Sequence, residues 1–254
     1  MSKSPLRYPG GKTRAIPILQ KYLDTYYPGR TTLLSPFFGG GSFELHCTAN
    51  GFAVRGNDKF LPLYTFWTAV QTDADVLAER VKDQMPVSKE KFLELRSTIL
   101  TSDEMARDYY IINRCSFSGA TFCGGYSKQA AEGRLTTSSL LTLRSVDLSA
   151  VEFSNLDCNA FLAAHPPSAD TVVYADPPYY ISSYIYGKDG DMHEGFDHAA
   201  FAASLRKRAD WILSYNDCPY IRTLYAGCRF FETSWSYGMN KSKKSSELII
   251  LPPV

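Results

Sequence analysis

The feature that most constrains the fold of this chain is the alternation of short apolar segments with longer amphipathic ones. Apolar residues recur at every second position, between Gly, Pro or Asn, at residues 31–35, 52–56, 151–154, 171–175, 211–214, 228–233 and 247–251. Helical patterns lie between most of these predicted strands, at residues 12–26, 42–50, 59–70, 159–164, 197–209 and 218–226. Strands that alternate with helices predict an α/β fold, with a mostly parallel sheet covered on both faces.

Two parts of the chain depart from this alternation. The last two predicted strands are joined only by SWSYGMNKSKKS, too short for a crossover helix, so we expect an antiparallel hairpin at the sheet edge. Residues 72–147 show no strand pattern and predict helices at 73–85, 88–100, 102–114 and 138–146, with a Gly-, Ser- and Thr-rich loop before the last. We therefore expect residues 72–147 to be an inserted helical subdomain, and residues 1–71 and 148–254 to form the main domain.

Composition excludes several classes of protein. A chain of 254 residues with 44% hydrophobic content can form a full globular core. No segment approaches the eighteen or so apolar residues of a membrane span, and the start of the chain has no secretory apolar core, so we expect a cytoplasmic protein. The six cysteines form no Cys-x-x-Cys pair, so we expect neither a metal site nor disulfides.

A glycine-rich turn follows the first predicted strand, in LLSPFFGGGSFEL at residues 33–45. Glycines at Gly39–Gly41 allow a ligand to approach the backbone, and Ser42 can cap the next helix, whose amides carry partial positive charge. Asp58 ends the second predicted strand, where an acid can bind the hydroxyls of a ribose. The glycine spacing is not that of a pyrophosphate loop, which favours an adenosine without phosphates, such as S-adenosylmethionine, over a dinucleotide.

The segment ADPPYY at residues 175–180 follows the apolar run of a buried central strand, where α/β proteins carry their active sites. The prolines Pro177 and Pro178 make a stiff turn whose carbonyls can accept hydrogen bonds. The Asp176 carboxylate and the Pro177 carbonyl can bind the two N–H groups of an amino group on a planar base. Tyr179 can stack on the ring of that base, so the segment predicts methyl transfer controlled by orientation.

These motifs resemble those of the Dam-like DNA adenine amino-methyltransferases. The resemblance spans nearly the whole chain and rests on RYPGGK at 7–12, SPFFGGGSFEL at 35–45, ND at 57–58, INRCSFSG at 112–119 and DPPYY at 176–180. It implies a Rossmann-like methyltransferase fold with S-adenosylmethionine as cofactor. Two departures are Ser35, where many members have an acid, and DKF, which replaces the usual Asp-x-Asn after the second strand.

The residues and the resemblance together give the expected sites. We expect the cofactor to contact Tyr8, Lys12, Pro36, Phe37, Phe38, Gly39, Gly40, Gly41, Ser42, Asp58, Asp157 and Asp176, and we assign catalysis to Asp176, Pro177, Pro178 and Tyr179. A target in duplex DNA must be rotated out of its stack, which requires phosphate contacts around the site. We assign these DNA contacts to Arg114, Lys128, Arg134, Lys241, Lys243 and Lys244.

The leading hypothesis is methylation of the 6-amino group of adenine in double-stranded DNA. Transfer to the 4-amino group of cytosine is the alternative within the same chemistry; many such enzymes carry Ser in place of Asp176. A catalytically inactive DNA-binding protein with the same fold is the alternative from another class, against which Asp58, Asp176 and Tyr179 argue.

Overall fold

The sheet positions the turns and strand ends that form most of the candidate site. The computed structural model describes residues 3–180, 195–233 and 247–253. In these ranges one seven-stranded sheet has the order β3-β2-β1-β4-β5-β7-β6. Its strands are β1 Thr32–Ser35, β2 Ala53–Asn57, β3 Val151–Ser154, β4 Thr171–Ala175, β5 Trp211–Asn216, β6 Arg229–Thr233 and β7 Glu247–Leu251. The seven predicted strands are confirmed, with ends that differ by a residue or two.

Strands β1 to β5 run parallel, whereas β7 is antiparallel to both of its neighbours, β5 and β6. The predicted antiparallel edge is therefore confirmed, with one refinement: the last strand of the chain lies inside, and β6 forms the edge. The fold is α/β and mostly parallel, as the alternation of strands and helices predicts.

Ten α-helices are described in these ranges. They are α1 Ile16–Tyr26, α2 Ser42–Ala49, α3 Leu61–Lys82, α4 Lys89–Thr98, α5 Met105–Cys115, α6 Lys128–Arg134, α7 Thr137–Arg144, α8 Cys158–Ala164, α9 His198–Leu205 and α10 Pro219–Leu224. The helix predicted at 12–26 begins only at Ile16, after a 3-10 turn at Lys12–Arg14. Pro17 lies in the first turn of α1, where its missing N–H costs nothing. Helix α6 lies in the segment that was predicted to be a loop.

The helices predicted at 59–70 and 73–85 form one element, α3, with a kink. Asp73 has non-helical backbone angles, φ −162° and ψ 93°. Its carboxylate accepts a hydrogen bond from the Val76 amide at 2.9 Å, as the cap of a new helix does. Asp73 therefore ends one helical segment and begins the next.

The core lies on both faces of the sheet because successive strand residues point to opposite sides. Leu33 and Val172 belong to the larger apolar cluster, whereas Leu34 and Val173 belong to the smaller one on the other face. The larger cluster also contains residues from 72–147; for example, Tyr110 of α5 stacks on Phe66 of α3, with ring centroids 5.7 Å apart. Residues 72–147 thus share a hydrophobic core with the sheet. Their predicted role as a separate DNA-recognition subdomain stays a prediction.

No helix within the described residues is long and apolar enough to cross a membrane. In the same ranges, no group of three or more His, Cys, Asp or Glu side chains is placed to hold a metal ion.

Candidate active site

A cavity of about 320 Å³ lies at the carboxyl ends of the parallel strands. Four neighbouring strands contribute to its wall: the turn after β1, Asp58 after β2, Asp157 after β3 and Asp176 after β4. All the predicted cofactor residues line this one cavity, namely Tyr8, Lys12, Pro36, Phe37, Phe38, Gly39, Gly40, Gly41, Ser42, Asp58, Asp157 and Asp176. Of the predicted catalytic residues, Asp176 and Pro178 line the cavity, whereas Pro177 and Tyr179, which flank Pro178, are not among its lining residues.

The glycine turn packs against Tyr8. A Cβ atom on Gly40 would lie 2.7 Å from the Tyr8 Cβ, and one on Gly41 would lie 2.6 Å from the Phe38 ring. Gly41 also has a φ of 66°, a left-handed conformation that side chains disfavour. The structure therefore gives a second reason for these glycines, namely close packing and backbone geometry. From the sequence alone, they were explained only by the approach of a ligand to the backbone. The prediction that Ser42 caps the next helix is wrong: Gly41 precedes α2, Ser42 is its first residue, and no side chain caps it.

Asn113 of α5 holds the segment that carries Tyr8. Its side chain accepts a hydrogen bond from the Arg7 amide at 2.9 Å and donates one to the Arg7 carbonyl at 2.7 Å. Asn113 is fully buried, so this contact is shielded from water. The motif INRCSFSG thus contributes to the site indirectly, by fixing the backbone next to Tyr8.

Asp58 links the end of β2 to the glycine turn. Its carboxylate accepts hydrogen bonds from the Gly39 amide at 3.0 Å and from the Phe60 amide at 3.0 Å. Burial raises the pKa of Asp58 to about 6, against the opposing effect of these two amides. Each carboxylate oxygen keeps a further lone pair for a ligand.

Asp157 caps helix α8 at the cavity wall. Its carboxylate accepts a hydrogen bond from the Asn159 amide at 3.0 Å and pairs with Lys59 at 3.1 Å. Asp157 and Asp58 thus bring two carboxylates to neighbouring parts of the same wall.

Lys12 and Asp176 form an ion pair at the centre of the site. Lys12 Nζ lies 2.7 Å from Asp176 Oδ2, and it also donates to the Gly10 carbonyl. Burial raises the pKa of the Asp176 carboxyl, while the Lys12 ammonium opposes that rise. The second oxygen, Asp176 Oδ1, is buried and has no hydrogen-bond partner among the described residues. A buried acceptor without a partner is costly, which marks this atom as one that awaits a ligand.

Glu44 is a cavity residue that sequence reasoning missed. It is 3% exposed and accepts a hydrogen bond from Ser35 Oγ at 2.8 Å. Burial raises the pKa of Glu44 to about 7, and the nearby Asp176 carboxylate adds to the rise. An acidic residue in the first turn of a helix usually lies at the surface, where it interacts favourably with the helix dipole. The position of Glu44 in the sequence therefore did not indicate that its side chain is buried.

The two tyrosines of ADPPYY are each held by a strand neighbour. Tyr179 donates a hydrogen bond to Glu247 at 2.8 Å, and its ring stacks on Tyr215 with centroids 5.8 Å apart. The Tyr180 backbone bonds to the Asn216 side chain. Glu247 was not predicted as a site residue, because its partner lies sixty-eight positions away in the chain.

The predicted DNA-contact residues differ in how far their side chains are engaged. Arg114 donates to the Arg134 carbonyl at 2.8 Å and to the Pro5 carbonyl at 3.2 Å, so it also joins α6 to the N-terminal segment. Arg134 is exposed, and Lys128 is exposed with a loose pairing to Glu132 at 3.8 Å. Lys241, Lys243 and Lys244 lie outside the described residues.

Comparison with known families gives a match that covers most of the chain. Residues 8–239 match the family described as D12 class N6 adenine-specific DNA methyltransferase, over nearly the whole chain. A search of curated proteins found no matching relative.

Proposed function

This chain belongs to the D12 class of N6 adenine-specific DNA methyltransferases, and we propose that its cavity holds S-adenosylmethionine beside an adenine of double-stranded DNA. The class methylates adenine in DNA, so DNA is the substrate and S-adenosylmethionine is the implied methyl donor. The observation that carries the proposal is the ion pair between buried Lys12 and Asp176, whose side chain is 21% exposed. Asp176 Oδ1, the oxygen without a hydrogen-bond partner among the described residues, belongs to a residue of the cavity wall.

The cavity suits a cationic adenosine derivative. Its wall carries the carboxyl groups of Glu44, Asp58, Asp157 and Asp176, which favour a sulfonium and an ammonium group over phosphates. Asp58 is placed to bind the ribose hydroxyls, while Tyr8, Phe37 and Phe60 supply apolar surface. When bound there, S-adenosylmethionine supplies an electrophilic methyl group.

The chain's own residues prepare the target nitrogen. Lys12 holds Asp176 Oδ2, which leaves Oδ1 to accept one N–H of the adenine amino group. The Pro177 carbonyl accepts the second N–H, and the Tyr179 ring stacks on the base. These contacts localise the nitrogen lone pair toward the methyl group, so orientation and electrostatics account for the rate and no covalent enzyme intermediate is required.

An adenine paired in a duplex cannot reach Asp176, so the target base has to rotate out of the helix. We assign phosphate contacts to the residues predicted from the sequence, Arg114, Lys128, Arg134, Lys241, Lys243 and Lys244. Residues 72–147 are accordingly the proposed DNA-recognition part of the chain. Exposed Arg134 supports this assignment most directly, because it makes no ion pair with any residue that the structure describes.

The test is methyl transfer from labelled S-adenosylmethionine to unmethylated duplex DNA, followed by digestion and mass spectrometry of the nucleosides. We expect N6-methyl-2′-deoxyadenosine as the product. Asp176→Ala should lower the turnover number by about 10²- to 10³-fold, the usual cost of removing a preorganised electrostatic contact.

Asp170→Asn is the matched control, because Asp170 precedes the other end of the same strand, β4, and is exposed. It should keep the activity of the wild-type protein. Labelled N4-methylcytosine, or full activity of Asp176→Ala, would contradict the proposal.

A further inference from the structure

The last residue pair between β5 and β7 contacts the ADPPYY segment. Asn216, the last residue of β5, is paired in register with Glu247, the first residue of β7. Because the two strands are antiparallel, the end of one and the start of the other meet at the carboxyl edge of the sheet. We call this pair, Asn216 and Glu247, the terminal rung.

Glu247 holds the first tyrosine of the segment. It is 1% exposed, and its Oε2 accepts the hydrogen bond from the Tyr179 hydroxyl at 2.8 Å. A carboxylate buried to this extent costs free energy that an apolar strand residue would not. The neighbouring positions of β7 are all apolar, so the sheet itself gives no reason for an acid there.

Asn216 holds the second tyrosine. Its Oδ1 accepts a hydrogen bond from the Tyr180 amide at 2.9 Å, and its Nδ2 donates to the Tyr180 carbonyl at 2.9 Å. A side-chain amide thus makes the paired bonds that a neighbouring strand would make. The backbone at residue 180 is fixed to β5 in this way.

We propose that the terminal rung is a positioning device for catalysis, in which Glu247 sets the orientation of the Tyr179 ring and Asn216 fixes the backbone that follows it. The inference rests on the proposed function, in which Tyr179 stacks on the target adenine. Tyr179 is also in contact with Tyr215, and Lys12 Nζ lies 5.0 Å from the centre of its ring. The hydroxyl bond to Glu247 adds a contact at the far end of the ring, where it resists rotation.

The experiment is a double-mutant cycle on the hydroxyl bond, with the full chain and duplex DNA. The variants are Glu247→Leu, Glu247→Gln, Tyr179→Phe and the double variant Glu247→Leu/Tyr179→Phe. We expect Glu247→Leu to lower kcat by about 10- to 100-fold, the range that follows from a misplaced reacting group, with little change in KM for S-adenosylmethionine. Glu247→Gln keeps an acceptor and should restore most of the lost activity.

Tyr179→Phe keeps the ring but removes the donor, so it should lower kcat by a similar factor. The double variant should be no slower than Tyr179→Phe, because that change already removes the hydroxyl that bonds to Glu247 and also interacts with Asp176. With 2-aminopurine at the target position, the variants should also show altered fluorescence on DNA binding, which a loss of stability alone would not produce. Glu152→Leu, on the exposed edge strand β3, controls for the loss of a sheet carboxylate.

The outcomes separate the two proposals. A wild-type protein that transfers no methyl group to adenine would overturn the proposed function. A wild-type protein that is active, with effects of Glu247→Leu and Tyr179→Phe that multiply independently, would overturn the positioning role alone. If Glu247→Leu does not fold, Tyr179→Phe decides: unchanged kcat and unchanged 2-aminopurine fluorescence would overturn the positioning role.

Discussion

Glu44 shows how one buried acid links the stability of this protein to pH. Its pKa of about 7 lies above the ordinary value of 4.5, so the folded state binds the proton more tightly than the unfolded state. The protonated form therefore stabilises the fold at low pH, and that contribution is lost as the pH rises from about 4.5 through 7. Above that window the folded protein holds a buried carboxylate.

Glu44→Gln should consequently stabilise the protein at high pH. A pKa difference of this size corresponds to about 3 kcal/mol in the free energy of unfolding at pH 8, and to under about 1 kcal/mol at pH 5. Gln keeps an acceptor for Ser35, so the hydrogen bond survives. Urea denaturation at both pH values measures the difference; equal stabilisation at pH 5 and pH 8 would show that burial of the charge is not the cause.

Residues differ in how far the sequence reveals their position. Lys12, Asp58 and Asp176 each stand beside a turn or at a strand end, and parallel strands bring such positions to one edge. The convergence of Asp58 and Asp176 could therefore be predicted from the strand pattern, whereas Lys12 was expected at the site from the family resemblance alone. The positions of Ser35, Glu44 and Glu247 depend on burial and on contacts between distant segments, which short-range patterns do not encode.

At the scale of elements, the side chain of Asp73 caps the helical segment that follows the kink in α3. Asp73→Ala removes the acceptor for the Val76 amide and should lower the free energy of unfolding by about 1 kcal/mol, as for other helix caps. Asp73→Asn keeps the acceptor and should behave like the wild-type protein. Urea denaturation monitored by circular dichroism measures both.

Asp83→Ala is the control for this change, because Asp83 is the exposed residue at the other end of α3. A carboxylate there opposes the helix dipole, so its removal should cost no stability. A loss at Asp83 equal to that at Asp73 would show that the cap does not explain the effect.

The strands were predicted more closely than the helices for a physical reason. Burial on both faces leaves continuous apolar runs with sharp polar ends, as in β4 and β7. Helix α6, by contrast, is one short segment with a single buried residue, Ala130, and so shows no apolar period. Its Ser127 cap was the only local signal, and the surrounding glycines obscured it.

For the whole molecule, the distribution of charge matters more than its sum. The net charge is only +1. The pKa of Arg7 is nevertheless lowered, first by burial and then by the positive charges of Arg114 and Arg134. These three side chains therefore lie close enough together to repel one another. A phosphate close to these three side chains would lessen their mutual repulsion, which supports the proposed DNA contacts of Arg114 and Arg134.

Arg134→Gln should therefore weaken DNA binding and reduce its dependence on salt. The slope of log K against log salt concentration should fall in magnitude by about 1, the effect of one lost phosphate contact. Fluorescence anisotropy with a labelled duplex, across a range of salt concentrations, measures the slope.

Lys207→Gln is the matched control. Exposed Lys207 lies just before the amino end of β5, whereas the candidate site lies at the carboxyl ends of the strands. Its slope should equal that of the wild-type protein. Equal slopes for Arg134→Gln and the wild-type protein would exclude Arg134 from the DNA interface.

The place of β7 in the sheet has a consequence for biosynthesis. Strands β5 and β6 emerge from the ribosome before residues 247–251, yet β7 lies between those two strands. Until these residues emerge, β5 has no partner on that side, and Tyr179 lacks the acceptor that Glu247 provides. The glycine turn, Lys12 and Asp176 are made early, so in the proposed enzyme the reacting groups exist before the last strand completes their support.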